Sequence, residues 1–220
     1  MTARALAAIA VISALAPAAR AETRFEDAAA QAARTPLDEV VWALTAACDS
    51  GDDVRQRQCR QLRDARAKAL AGATIVTDAD PTAFSIGAWH AQRKSVTVAL
   101  MGCVRCGGIR IDDRTWHVTA SGAPRVEAGA LRAAALHDSA RTFPDEAAAA
   151  AWTKSVAGAR VQLVLKVPAR PRWQVAGKDG LALELVAYRV ITPCNGAVVI
   201  ASPGSGPAAP DKQACGAPAR

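Results

Sequence analysis

The spacing of apolar residues changes at Gly72, and this change constrains the fold of the chain more than any other feature of the sequence. Before Gly72, apolar residues recur at helical spacing in two segments, whereas most of those after it alternate with polar residues, as in half-buried strands. Helices grouped ahead of strands favour the α+β class over an alternating βαβ sheet. We therefore expect an N-terminal helical hairpin packed on a mostly antiparallel sheet, with one further helix.

The predicted hairpin consists of two helices joined by a polar turn. Thr35 suits the N-cap and Pro36 the first position of a helix over residues 36–47, and Gly72 suits the position that follows a second helix over residues 54–71. A disulfide Cys48–Cys59 would join the two helices beside the turn. The sequence thus predicts a disulfide-stapled αα-hairpin at the start of the fold.

Strands are predicted wherever apolar and polar residues alternate after the hairpin. The alternation covers residues 73–77, 84–88, 96–101, 109–111, 116–118, 161–167, 173–175, 181–191 and 198–200. The first five of these runs follow one another closely and predict an antiparallel meander. A further helix is predicted over residues 143–158, whereas residues 128–137 fit a helix or a strand equally well.

The longest alternating run, residues 181–191, gives the most specific expectation for a strand. Alternation along a strand places Leu183 and every second residue up to Arg189 on one face of the sheet. The dipeptide Asn195-Gly196 follows and predicts a tight hairpin to the last strand.

Residues 1–21 have the three parts of a secretory signal peptide. A basic start at Arg4 precedes an apolar run too short to span a membrane, and small residues stand at Ala19 and Ala21. We expect cleavage near Ala21 and a periplasmic or extracellular protein whose mature chain has no transmembrane segment.

The cysteine content is typical of an exported, disulfide-stabilised protein. Six cysteines predict three disulfides, although six permit fifteen pairings. Short local rings favour the pairs Cys48–Cys59, Cys103–Cys106 and Cys194–Cys215. Residues 22–201 are expected to form a single α+β domain. Residues 202–220, rich in Pro, Gly and Ala, are expected to form a tail tethered through Cys215.

The Cys103-x-x-Cys106 motif has two possible roles. In thiol–disulfide oxidoreductases the first cysteine stands at a helix N-terminus, which lowers the thiol pKa. Here Gly107 and Gly108 follow, and then a strand, so no activating helix is predicted. We therefore interpret the pair as a structural disulfide and keep redox catalysis by Cys103 and Cys106 as the alternative.

Cofactors and metals are not expected. No histidine follows Cys106, so the motif does not match covalent haem attachment. A zinc site of Cys103, Cys106, His90 and His117 is conceivable, but an oxidising compartment opposes it.

Hydrolase chemistry has few candidate residues in this chain. The run His137-Asp138-Ser139 contains the residue types of a catalytic triad, but consecutive residues are not expected to reach one another in triad geometry. A dispersed hydrolase site would need His90, His117 or His137 beside a carboxylate in a concave pocket. The five tryptophans, at positions 42, 89, 116, 152 and 173, could line a ligand cleft, but we interpret them as core residues because they fall at core-like positions of the predicted elements.

The charge distribution argues against nucleic-acid binding. The formal net charge of +7 comes mostly from scattered arginines, and aromatic residues make up only 4% of the chain. Nucleic-acid-binding proteins usually collect positive charge on one face. The sequence predicts a non-enzymatic binding module or structural component of the cell envelope with an unknown ligand or protein partner. A thiol–disulfide oxidoreductase is the alternative.

Overall fold

The computed structural model describes residues 24–193 and 195–202. The predicted signal peptide, the predicted Cys194–Cys215 bond and residues 203–220 of the predicted tail lie outside the described residues. The helices are α1 (Phe25–Ala30), α2 (Leu37–Thr45), α3 (Asp53–Leu70) and α4 (Glu146–Ser155). The strands are β1 (Thr74–Asp78), β2 (Phe84–Ile86), β3 (Ser95–Met101), β4 (Cys103–Ile111), β5 (Arg114–Ala120), β6 (Arg125–Glu127), β7 (Ala130–Arg132), β8 (Ala135–Thr142), β9 (Arg160–Lys166), β10 (Arg172–Val175), β11 (Lys178–Ile191) and β12 (Val198–Ala201).

The α+β class and the stapled hairpin are confirmed. Helix α2 buries Val40 and Val41 completely, whereas α3 is charged over most of its surface and buries only Leu70. The Asp52 side chain caps α3 by accepting a hydrogen bond from the Arg55 backbone amide. A disulfide Cys48–Cys59 joins the end of α2 to α3, with the two Cα atoms 5.6 Å apart. No helix among the described residues is long and apolar enough to cross a membrane.

Strand β11 organises the largest sheet, which has seven strands in the main order β1-β9-β11-β5-β4. Along one edge β11 pairs antiparallel with β9 and β10, and along the other it pairs with β5 and β12. Two hydrogen bonds of successive residues in β11 mark its two edges. On the β10 edge the Ala182 amide donates to the Pro171 carbonyl, and on the β5 edge the Leu183 carbonyl accepts from the Ser121 amide. The β5–β11 pairing is the only parallel strand pair in the described part of the chain.

A β-bulge in β11 corrects the predicted pattern of its two faces. Leu185 pairs with Leu165 and Ala187 with Val164, so Val186 is an extra residue in the strand. Beyond the bulge the alternation reverses, and Ala187 packs with Phe25 of α1 on the opposite side of the sheet from the main core. The predicted single face over 183–189 is therefore wrong after Leu185.

The first strands do not form the predicted meander. Strand β1 pairs with the distant β9, and β3 pairs with β2 and β8 in a separate three-stranded sheet. The chain passes from this sheet into β4 at Gly102, where a Cβ atom would lie 2.7 Å from the Ala120 carbonyl oxygen. Within the ambiguous residues 128–137, residues 130–132 form β7 and residues 135–137 begin β8, and β6 and β7 form a two-stranded hairpin.

The tryptophans differ in burial, but all except Trp173 lie in or pack against a hydrophobic core cluster. Trp116 is 6% exposed and belongs to the main core. The others, at positions 42, 89, 152 and 173, are only partly buried. Trp152 of α4 packs against Phe143 beside the three-stranded sheet, with their ring centroids 5.3 Å apart.

Candidate functional site

The Cys103–Cys106 loop is a bulged part of strand β4. The two cysteines form a disulfide, and their Cα atoms are 5.4 Å apart. The pairing with β5 shifts register between Cys103 and Ile109, so the loop stands out from the ladder. Strand β4 continues through the loop to Ile111, so the sulfur atoms are held by a strand and not at the start of a helix.

The environment of Cys106 is polar and contains charges of both signs, those of Asp80 and Arg105. Its side chain is exposed, and the Thr82 hydroxyl lies 3.7 Å from its Sγ atom. The His117 Nδ1 atom lies 3.2 Å from the Cys106 carbonyl oxygen. Hydrogen bonds from the Thr82 backbone amide and hydroxyl lower the pKa of Asp80, with a further contribution from the charge of Arg105. Asp80 is therefore ionised at neutral pH.

A cleft of about 270 Å³ opens beside this loop. Most of its lining is apolar or aromatic, with a few hydroxyl groups and one arginine. The lining residues are Thr82, Met101, Cys103, Cys106, His117, Thr119, Pro124, Leu131, Arg132, Ala133 and Trp173. Strands β3, β4, β5, β7 and β10 contribute to the walls, so the cleft depends on the tertiary fold and not on one motif.

The aromatic wall of the cleft is positioned by three neighbouring strands. Gly180 of β11 lies directly opposite Trp173 of β10 and beside His117 of β5. The Trp173 ring covers Gly180 so closely that a Cβ atom there would lie 2.2 Å from the ring. The His117 and Trp173 rings stack with centroids 6.4 Å apart. The buried Trp173 Nε1 atom has no hydrogen-bond partner among the described residues.

The formal charge that the described residues contribute to the lining is positive. Among the described residues of the lining, Arg132 is the only one with a formally charged side chain, and none is a carboxylate. Arg132 is exposed and lies at the end of the β6–β7 hairpin, directly opposite Arg125. The cleft therefore offers an apolar interior with positive charge at its rim.

The other candidate histidines do not form the hydrolase site considered from the sequence. In β8 the Ser139 hydroxyl lies 2.8 Å from His137 Nε2, because residues two apart share one face of a strand. This contact corrects the expectation for Ser139, while the alternation turns Asp138 to the other face. His137 Nδ1 lies 3.1 Å from the Tyr188 hydroxyl, so both ring nitrogens face hydroxyl oxygens instead of a carboxylate. The ring of exposed His90 accepts a hydrogen bond from the Arg93 amide within a turn.

The structure brings together three of the residues that the sequence singles out, Cys103, Cys106 and His117. The conceivable zinc site does not form, because Cys103 and Cys106 are bonded to each other and no metal-binding group of three or more His, Cys, Asp or Glu residues exists in the described ranges. Sequence reasoning missed Arg132 as a site residue and preferred a core role for Trp173 over the role of lining a cleft. The predicted strands 173–175 and 181–191 are close in sequence, and a hairpin between them would have placed Trp173 opposite Gly180. No local signal in the sequence places Arg132 at the cleft.

Comparison with known proteins adds no assignment to this geometry. No family model matches the chain, and neither the curated proteins nor the solved structures give a significant match.

Proposed function

We propose that the chain is an exported, non-enzymatic binding module, and that the cleft beside the Cys103–Cys106 loop holds its ligand. The observation that carries this proposal is the composition of the cleft, a mostly apolar and aromatic lining with a few polar groups. Sites for small molecules are typically concave and mostly apolar, with a small number of polar groups that fix orientation. The volume of about 270 Å³ suits a small ligand or a single side chain of a partner.

The disulfide supports binding by restricting one wall of the cleft. It closes a ring across a bulge whose backbone pairing with β5 is interrupted. A covalent ring limits the conformations of such a bulge, and a wall that is already ordered loses less entropy when a ligand binds. Strand geometry on both sides also leaves Cys103 without the helix dipole that activates thiols.

Export is the second part of the proposal and rests on the sequence of residues 1–21 and the disulfide content. Disulfides persist in the periplasm and outside the cell and are rare in the cytosol. N-terminal sequencing of the exported protein is expected to start near Glu22. A protein recovered from the envelope or medium with Met1 intact would contradict this part of the proposal.

Loss of the aromatic wall tests the binding role. Trp173→Ala is expected to weaken any ligand found for the native chain by at least about tenfold, because aromatic rings supply much of the contact energy in such sites. The measurement is a fragment screen by ligand-observed NMR on the folded protein. Trp152→Ala is the matched control, since Trp152 is also partly buried but packs beside α4. Ligands that bind both variants equally would contradict a binding role for this cleft.

Thiol–disulfide exchange is a second candidate function. It is favoured by the exposure of Cys106, which leaves its sulfur open to an attacking thiolate. An attacking thiolate would form a mixed disulfide with one cysteine and release the other as a thiolate. The neighbouring Arg105 adds positive potential.

A further inference from the structure

We propose that the ligand of this cleft is a small organic anion, a carboxylate joined to a flat apolar group. This inference rests on the proposed binding function and adds the chemistry of the ligand. Its starting point is the charge of the lining, because Arg132 is the only formally charged side chain that the described residues contribute to it. A cationic ligand would face this arginine with no carboxylate in the lining to balance its charge.

The β6–β7 hairpin strengthens the case for an anion because it places two like charges face to face. Arg125 and Arg132 are direct cross-strand partners, and both are exposed. The Cβ atoms of two directly opposite residues are about 4.5–5.5 Å apart, and two like charges in such a pair destabilise the strand pairing. Neither arginine forms an ion pair with a described residue, although Glu127 lies two positions from Arg125. A bound carboxylate would relieve this repulsion.

Arginine is also the side chain best suited to a carboxylate. Its planar guanidinium can donate two parallel hydrogen bonds to the two oxygens of one carboxylate. Arg132 lines the cleft, and together with Arg125 and Glu127 it also lines a second hollow. The carboxylate is thus expected at the rim of the cleft, near the hairpin.

The interior of the cleft indicates a flat apolar group for the rest of the ligand. The stacked rings of His117 and Trp173 form one side, and Met101, Leu131 and Pro124 contribute apolar surface. Two hydroxyl groups of the lining already have internal acceptors. Thr82 donates to the Asp80 carboxylate, and the Thr119 hydroxyl is within hydrogen-bond distance of two backbone carbonyl oxygens. A planar hydrocarbon ring would therefore fit this interior better than a polyhydroxylated ligand.

Benzoate, benzamide and benzylamine separate charge from shape, because the three probes share a ring and differ in the sign of their charge. We expect benzoate to bind the native chain at least about tenfold more tightly than benzamide, which is the difference a charge-assisted hydrogen bond supplies. Binding of benzoate should also weaken as salt is added, because the arginines lie at an exposed rim. The measurement is an NMR titration of each probe into the folded protein.

Arg132→Met tests the residue itself, since methionine keeps an apolar stem and removes the charge. The variant should bind benzoate and benzamide about equally. Arg57→Met in α3 removes the same charge from an exposed helix position and should leave the preference for benzoate unchanged.

The outcomes separate this inference from the proposed function. Equal binding of benzoate and benzamide to the native chain, tighter binding of benzylamine, or an unchanged preference in Arg132→Met would overturn the anion assignment. Absence of benzoate binding up to about 10 mM, ten times a weak Kd of about 1 mM, would also overturn it. In each case, fragments whose binding depends on Trp173 would still support a binding cleft. Failure of both tests would remove the proposed function as well.

Discussion

Replacing Cys48 and Cys59 together by alanine is expected to lower the free energy of unfolding by about 3 kcal/mol, as the chain-entropy relation gives for a ring of this length. The bond closes over 11 positions of sequence and joins two helices with little shared core, because α3 buries only Leu70. Without it, the unfolded chain gains conformations and α3 loses its covalent link to the end of α2. The measurement is urea unfolding followed by tryptophan fluorescence.

The matched control is the Cys103→Ala/Cys106→Ala variant, which removes a disulfide that closes over only 3 positions. The same relation gives about 2 kcal/mol for this shorter ring, so the order of the two losses is part of the prediction. A loss below about 1 kcal/mol for the Cys48/Cys59 variant would contradict its role as a staple. A clearly larger loss for the Cys103/Cys106 variant would contradict the predicted order.

Gly180→Ala is expected to destabilise the fold and displace Trp173 at the same time. The added Cβ atom would lie 2.2 Å from Cζ2 of Trp173 and 2.5 Å from the His117 carbonyl oxygen. The Trp173 side chain can move away, but the His117 carbonyl belongs to the backbone of the neighbouring strand β5. Overpacking of this kind costs about 1–3 kcal/mol, occasionally more. We expect a lower urea midpoint, a shifted Trp173 indole resonance and weaker ligand binding in the cleft.

Gly107→Ala provides the control for this glycine. A Cβ atom at Gly107 meets no atom within 4 Å, and the residue directly follows Cys106 in strand β4. Its stability and the Trp173 resonance should stay close to those of the native chain. An unchanged midpoint and an unshifted Trp173 resonance in Gly180→Ala would contradict the close packing of Trp173 on β11.

The fold class follows from local sequence signals, and these were sufficient to predict it. Helical spacing before Gly72 and alternation after it depend only on neighbouring residues, and so do the cap at Asp52 and the turn after Ile191. The predicted helix near 143–158 also matches α4, which the Asp145 side chain caps. Such features give the elements and their order along the chain.

Pairing between distant strands could not be predicted in the same way. The β1–β9 pair joins Ile75 to Leu165, and the parallel β5–β11 pair joins His117 to Gly180. Alternation gives the face of a strand but not its neighbour, and the bulge at Val186 changes the face without any glycine or proline to mark it. The meander prediction failed for this reason.

The candidate site could be predicted only in part for the same physical reason. Cys103 and Cys106 stand out by their spacing, and His117 by its rarity in the chain. Trp173 and Arg132 join them only because β10 and the β6–β7 hairpin fold onto the same cleft. Neither residue type has a motif of its own, so the tertiary contacts had to reveal them.

Catalysis of glutathione-dependent disulfide exchange tests most directly the claim that the Cys103–Cys106 loop braces a binding cleft. The assay follows reduction of a disulfide-linked peptide by glutathione with catalytic amounts of the native protein or of its Cys103→Ala/Cys106→Ala variant. We predict the same rate for both proteins as for glutathione alone, because strand β4 provides no helix N-terminus to activate Cys103. Multiple turnovers by the native protein that disappear in the variant would contradict the claim and establish the exchange function instead.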